Sequence, residues 1–164
     1  MANYSLIKET DPTLMQTAEA WDWNQDGEIA DLAHDMLKIM YQHNGIGLAA
    51  PQIGIGKRIF VMGNPAQSFV CVNPEIVSGQ GDVKDMEGCL SFPGLWLHVN
   101  RYETVQVRYE DIVGKTHERE FTGLIARVFQ HEYDHLLGQC FVNKVSKLSL
   151  SLATKRRKKN LKGK

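Results

Sequence analysis

The stretch TGLIARVFQHEYDHLLG, residues 122–138, constrains the fold more tightly than any other part of the chain. Leu124, Ile125, Val128, Phe129, Leu136 and Leu137 recur at helical spacing, with Thr122 as a candidate N-cap and Gly138 where such a helix stops. An apolar face of this breadth predicts a helix laid against the core. Its last two turns nevertheless carry HEYDH, 131–135, with two histidines, a glutamate and an aspartate. Residues four apart differ by about 40° in direction around a helix, so His131 and His135 project side by side. Partnerless polar groups on a buried face are costly, which favours one shared metal ion over two unrelated histidines. Glu132 points about 100° away from His131, within reach of a water beside the ion rather than of the ion itself. Asp134 reads as a buried structural partner that fixes the helix.

Upstream, the hydrophobic period is two rather than 3.6. RIFVM (58–62), FVCVN (69–73), EIVSG (75–79), LWLHV (95–99), TVQVRYED (104–111) and HEREF (117–121) read as strands, mostly antiparallel, and DIVG (111–114) as a hairpin turn. Before them, Ile29, Leu32, Ala33, Met36, Leu37 and Met40 predict an N-terminal helix starting near Glu28, capped by Asp26 or a neighbour and stopped at Asn44-Gly45. The glycine-rich stretch 44–58 reads as irregular backbone. Helix, strands, helix, without alternating βαβ units, indicates an α+β fold: antiparallel or mixed β-sheets packed around a central metal-binding helix, with an N-terminal helix. A chain of 164 residues suits one core. Residues 1–146 form the expected catalytic domain and 147–164 a basic C-terminal tail, helical in part.

Composition narrows the setting. Hydrophobic residues at 43% and charged residues at 23% are those of an ordered globular domain. No apolar run approaches the roughly 18 residues of a membrane span, and the first residues lack the layout of a secretory signal or an Arg-rich transit segment. A cytoplasmic monomer that meets no membrane is the expectation. Three cysteines are too few, and odd in number, for a disulfide framework. Cys71 and Cys140, in FVCVNP and GQCFVN, read as small core residues. The net charge of zero hides an asymmetry: seven of the nineteen Lys/Arg fall in 155–164, which has no acid, whereas 1–35 holds eight acids and one lysine. The plain reading of such an end is a solvated, frayed tail; the sharper one is a contact for a phosphate-rich partner such as RNA.

A catalytic zinc-type site takes three protein ligands and leaves a fourth position for water. Beyond Leu137 there is no further His, Asp or Glu, and the only candidate is Cys140. Upstream, Cys89 stands in EGCLSFPG, on a turn that could present a thiolate. Cys89, His131 and His135 together leave one position open at a tetrahedral ion.

Three segments carry a family likeness. GIGLAAPQ (45–52), EGCLS (87–91) and HEYDH (131–135) resemble, in order and separation, the three signature motifs of bacterial peptide deformylases, in a short form without an insertion between the first two. The likeness covers about residues 5–145, and the acidic lead-in and basic end match less well. It implies hydrolytic removal of the formyl group from the N-terminal formyl-methionine of nascent polypeptides, with release of formate. It also implies one divalent ion on Cys89, His131 and His135, ferrous iron in the active form, with zinc, nickel or cobalt able to replace it. Glu132 is then the proton carrier. Gln52, through its side-chain amide, and Leu90, through its backbone N–H, are the expected oxyanion donors. Ile46, Val128 and parts of Glu87 and His131 form the methionine pocket, and Gly47 pairs its backbone with the extended substrate; the alternative for Gly47 is turn geometry alone. The ribosome is the partner expected for the basic tail.

Other readings are milder. Glu87 and Arg101 are expected to pair and steady the Cys89 turn. Arg127 is placed on the helix surface, facing the substrate mouth at most. His34, His43, His98 and His117 read as exposed, and Trp21, Trp23 and Trp96 as packing or edge residues. Two alternatives to a deformylase stand: a zinc endopeptidase built on the same helix, and a ribosome- or RNA-binding module in which the metal is structural.

Overall fold

Period-two alternation in the chain's middle builds two antiparallel sheets with a helix between them. The computed structural model describes residues 3–163. Helix α1 (Ala30–Gln42) precedes strands β1 (Gly47–Ala49), β2 (Ile59–Asn64), β3 (Gln67–Gln80), β4 (Val83–Cys89), β5 (Phe92–Arg101), β6 (Thr104–Glu110) and β7 (Thr116–Thr122). Helices α2 (Leu124–Leu136) and α3 (Lys147–Lys162) follow. Five strands form one sheet in the order β1-β2-β3-β6-β7, and β4 and β5 form a separate hairpin. Every ladder is antiparallel.

Strand β2 shows how the alternation distributes the core. Phe60 and Met62 face one way and join Ala126, Val128, Phe129 and Leu136 of α2. Ile59 and Val61 face the other way and join Met36, Ile39 and Met40 of α1. The two helices therefore cover opposite faces of the large sheet. In β5 the inward residues Leu95, Leu97 and Val99 pack with Phe141 and with Ala153 of α3. Helix α2 lies between the large sheet and the β4–β5 hairpin, which makes it the central element.

Several expectations change in detail. Helix α1 starts at Ala30 with Ile29 at its cap and no side-chain cap. Asp26 instead accepts from the Asp22 amide and pairs with Lys57. The runs 69–73 and 75–79 are one strand, bent where Asn73 takes a left-handed conformation (φ 47°). Two strands were not anticipated. β1 lies in the glycine-rich stretch expected to be irregular, and β4 contains VKDMEG, whose exposed charged residues mask its period. Thr122 ends β7 rather than capping α2; Gly123, at φ 69°, holds the cap position without a side chain to offer. Leu124 and Leu137, both expected in the apolar face, are exposed. The DIVG turn forms as expected, with Asp111 accepting from Val113 and Lys115.

Over its described residues the basic end is a helix rather than a frayed tail. Ser146 caps α3 by accepting from the Ser149 amide, Ala153 enters the β5 core, and Arg157 pairs with Glu9 of the acidic lead-in at 2.8 Å. Opposite charge at the two ends of the chain thus has a structural outlet. Among the described residues no helix is long and apolar enough to cross a membrane.

Candidate metal centre and its cleft

The β4–β5 hairpin delivers Cys89. It is the last residue of β4, opposite Phe92, with Leu90 and Ser91 turning between them. Such a tight reversal presents the thiol at the hairpin tip, half-exposed. Helix α2 delivers His131 and His135 one turn apart, their ring centroids 5.2 Å from each other. The Sγ of Cys89 lies 3.4 Å from Nε2 of His135. One donor atom from each of Cys89, His131 and His135 falls within 4.8 Å of the others. Residues 42 positions apart in sequence are thereby brought to one point.

The surrounding groups suit a cation. Nδ1 of His131 is 2.9 Å from Oε1 of Glu87. Burial would raise the Glu87 pKa, but hydrogen bonds from Arg101 and then His131 hold the carboxyl down at about 2. An ionised Glu87 makes Nδ1–H of His131 the donor, so Nε2 is the nitrogen that would face an ion once an ion displaces its proton. Burial opposes a charge on His131, yet its bonds to Cys89 and Glu87 push its pKa up to about 10. A pocket that stabilises a proton so strongly offers the same field to a metal ion. His135 is fully buried, and burial drives its pKa well down, so it is a neutral imidazole. A thiol and two imidazoles whose donor atoms lie within 4.8 Å of one another form a donor set that fits a tetrahedral divalent ion.

Glu132 stands beside this set. It is buried, its Oε2 has no hydrogen-bond partner, and burial pushes its pKa up to about 7. An orphaned carboxylate oxygen at such a pKa is poised to take and return a proton near neutrality. Gly47 shares this place: a Cβ there would meet Oε1 of Glu132 at 2.3 Å. A side chain at this position would have to displace the Glu132 carboxylate, a reason for glycine different from both readings of the sequence.

Gln52, in a short helix (Ala50–Ile53), is buried next to the thiol. Its Oε1 accepts from the Ala49 amide at 2.8 Å, which fixes the amide so that Nε2 faces Cys89 Sγ at 3.5 Å and Ser91 Oγ at 3.1 Å. Leu90 lines the same cleft of about 530 Å³. So do Ile46, Gly47, Glu87, Val128 and His131, and of the residues expected at the site only His135, fully buried, does not line this cavity. Val128 is a buried wall, whereas Ile46, 48% exposed, is at the rim.

Sequence reasoning misplaced others. Arg127 is buried rather than on the helix surface, though it lines the cleft as the second half of its reading had it, and it donates to Glu87 Oε2 at 2.7 Å and to the carbonyls of Val99 and Val83. Its position four residues before His131 was the available signal, because that spacing puts both on one helix face. Arg101 does pair with Glu87, in a fork of 2.8 and 2.9 Å, and also holds Asp134 at 2.6 Å. Asp134 is buried as expected. His34 and His98 are exposed as read; His43 is exposed too but lines the cleft. His117 is half-buried against Asp111 at 2.7 Å. Trp96 is 59% exposed and lines the cleft, because the inward Leu95 and Leu97 leave it on the outer face of β5.

The chain is similar to known proteins along nearly its whole length. The family model for polypeptide deformylase matches residues 4–151. A peptide deformylase of Acidobacterium capsulatum is 41% identical over 160 residues, covering 94% of this chain and 93% of the relative. The crystal structure of a peptide deformylase from Legionella pneumophila superposes with a TM-score of 0.89 at 36% identity, over 98% of this chain and 96% of that one. One from Synechococcus elongatus, in complex with actinonin, gives 0.87 at 38% identity, over 94% and 85%.

Proposed function

This chain belongs to the polypeptide deformylase family and is a metal-dependent hydrolase that removes the N-formyl group from nascent polypeptides, and we propose that Cys89, His131 and His135 hold its single ion while Glu132 moves the proton. Nothing in the comparisons supports an endopeptidase or an RNA-binding module with a structural metal. The observation that carries the assignment is the convergence of three donor atoms within 4.8 Å, next to a buried carboxylate oxygen with no partner.

The geometry supports a division of labour. When bound, the ion supplies Lewis acidity and makes a water nucleophilic near neutral pH. Glu132 accepts the proton of the water as its oxygen bonds to the formyl carbon. The same carboxyl then gives the proton to the nitrogen as the C–N bond breaks, leaving formate and a free N-terminal amine. Nε2 of Gln52 and the backbone N–H of Leu90 donate to the oxyanion that forms in between. Ile46 and Val128, with Glu87 and His131 behind them, hold the methionine side chain; an unbranched thioether fits such a narrow apolar slot. Gly47, on the short strand β1, offers backbone to the extended substrate.

The ion in this reading is ferrous iron, with zinc, cobalt and nickel as replacements that one thiolate and two imidazoles also accept. The enzyme acts as a cytoplasmic monomer. The exposed outer residues Lys155, Arg156, Lys158 and Lys159 of α3 support a salt-sensitive contact with the ribosome.

Metal content and hydrolysis of formyl-Met-Ala, measured on the wild type and on Glu132→Gln, test the assignment. The variant keeps one ion per chain and loses about 10²–10⁴-fold in turnover. A variant that turns over like the wild type removes Glu132 from the role of proton carrier, and Cys89→Ala with full activity removes the ligand set.

A further inference from the structure

The carboxylate behind His131 is held by more than the pairing with Arg101. Glu87 accepts four hydrogen bonds. Oε1 takes Nη2 of Arg101 at 2.9 Å and Nδ1 of His131 at 2.9 Å; Oε2 takes Nε of Arg101 at 2.8 Å and Nη1 of Arg127 at 2.7 Å. A carboxylate has about four lone-pair directions, so Arg127 fills the last of them. Two more of its N–H groups donate to the carbonyls of Val99, on β5, and Val83, on β4, at 2.8 and 2.6 Å. A single guanidinium therefore ties α2 to both strands of the hairpin that carries Cys89. It does so one turn before His131 and two turns before His135, on the same helix face.

We propose that Arg127 is a positioning residue of the metal centre that acts through Glu87: by closing the last lone pair on Oε2 it fixes the carboxylate with Oε1 on Nδ1 of His131, and so reserves Nε2 of that ring for the ion. Partners behind a ligating histidine set its tautomer and orientation, and their loss costs about 10–100-fold in metal affinity. Arg127 supplies a second function by the same contacts. It fixes how far α2 slides along the hairpin, and hence the separation of Cys89 from the two imidazoles. The inference rests on Cys89, His131 and His135 being the ligands.

The test is Co²⁺ binding to the metal-free protein without substrate, followed by thiolate-to-metal charge-transfer absorption and by competition with a chelator. Arg127→Met, Glu87→Gln, the double variant and His131→Ala are compared with the wild type. Arg127→Met is expected to weaken Co²⁺ by about 10–100-fold, and the double variant to bind no more weakly than Glu87→Gln alone. Should Arg127→Met not fold, Arg127→Lys decides. It keeps the charge but not the three-way reach, and the inference requires a loss of at least about threefold that vanishes in the Glu87→Gln background. Wild-type affinity in the Arg127 variant, or losses that simply add to those of Glu87→Gln, overturn the inference. An unaltered spectrum and affinity in His131→Ala overturn the ligand assignment instead, so the two failures are distinct.

Discussion

Helices α1 and α2 are both 13 residues long and both press on the large sheet, yet they bury different chemistry. The buried side chains of α1 are Ala33, Met36, Ile39 and Met40. Those of α2 include Arg127, Gln130, His131, Glu132, Asp134 and His135. The first helix needs only a fitting surface, and area removed from water stabilises it in proportion. The second needs a partner for every polar atom. Glu87, Arg101 and the carbonyls of the β4–β5 hairpin supply most of them. The exceptions are instructive: Oε2 of Glu132 has no partner, and the imidazole of His135 meets the Cys89 thiol at 3.4 Å. Buried polar groups that the fold leaves incompletely satisfied mark where a ligand and a substrate belong.

If the two helices divide stability from chemistry, substitutions should separate them. The largest effect is expected at the edge of the α2 cleft, where Gln52→Ala removes a proposed oxyanion donor. Turnover of formyl-Met-Ala should fall by about 10²–10³-fold while the bound metal stays; unchanged turnover would take Gln52 out of the mechanism. In α1, Met36→Ala opens a cavity in a fully buried position. It should cost about 2–5 kcal/mol in denaturant unfolding with turnover unaltered at temperatures where the variant remains folded. A change in turnover comparable to that of Gln52→Ala would break the division.

The smallest effect concerns acid. The Glu87 carboxyl lies at about 2, below its ordinary 4.5. Its contribution to stability is therefore complete above pH about 4.5 and lost as pH falls toward about 2. The metal-free wild type should lose part of its thermal stability across that window, and the gap between it and Glu87→Gln should narrow as pH drops. A gap that stays constant with pH would mean that the ionised carboxylate is not what the hairpin holds.

How much of this was legible in the sequence follows the same contrast. The period of α1 named Ala33, Met36 and Met40 of its buried face, because apolar burial is a local pattern, but left out Ile39 and included the half-buried Leu32 and Leu37. In α2 the pattern named Val128, Phe129 and Leu136 but mistook Arg127 for surface and Leu124 for core. A charged residue can enter a core only when distant groups receive it, and Val83, Glu87 and Val99 are distant in sequence. Strand β4 was missed for a related reason: its period is hidden by exposed charges, and only its pairing with β5 shows it. The pairing of Glu9 with Arg157 joins residues 148 apart and no local rule anticipates it. The candidate donors Cys89, His131 and His135 are legible because the spacing of HEYDH and the turn around Cys89 are local, although their meeting point is not.

That meeting point has a direct measurement. X-ray absorption at the metal edge of the zinc-loaded protein should find one sulfur at about 2.3 Å and two nitrogens at about 2.0–2.1 Å, with the sulfur lost in Cys89→Ala. A first coordination sphere without sulfur, or one that keeps its sulfur when Cys89 is replaced, would contradict a centre shared by the hairpin tip and the helix.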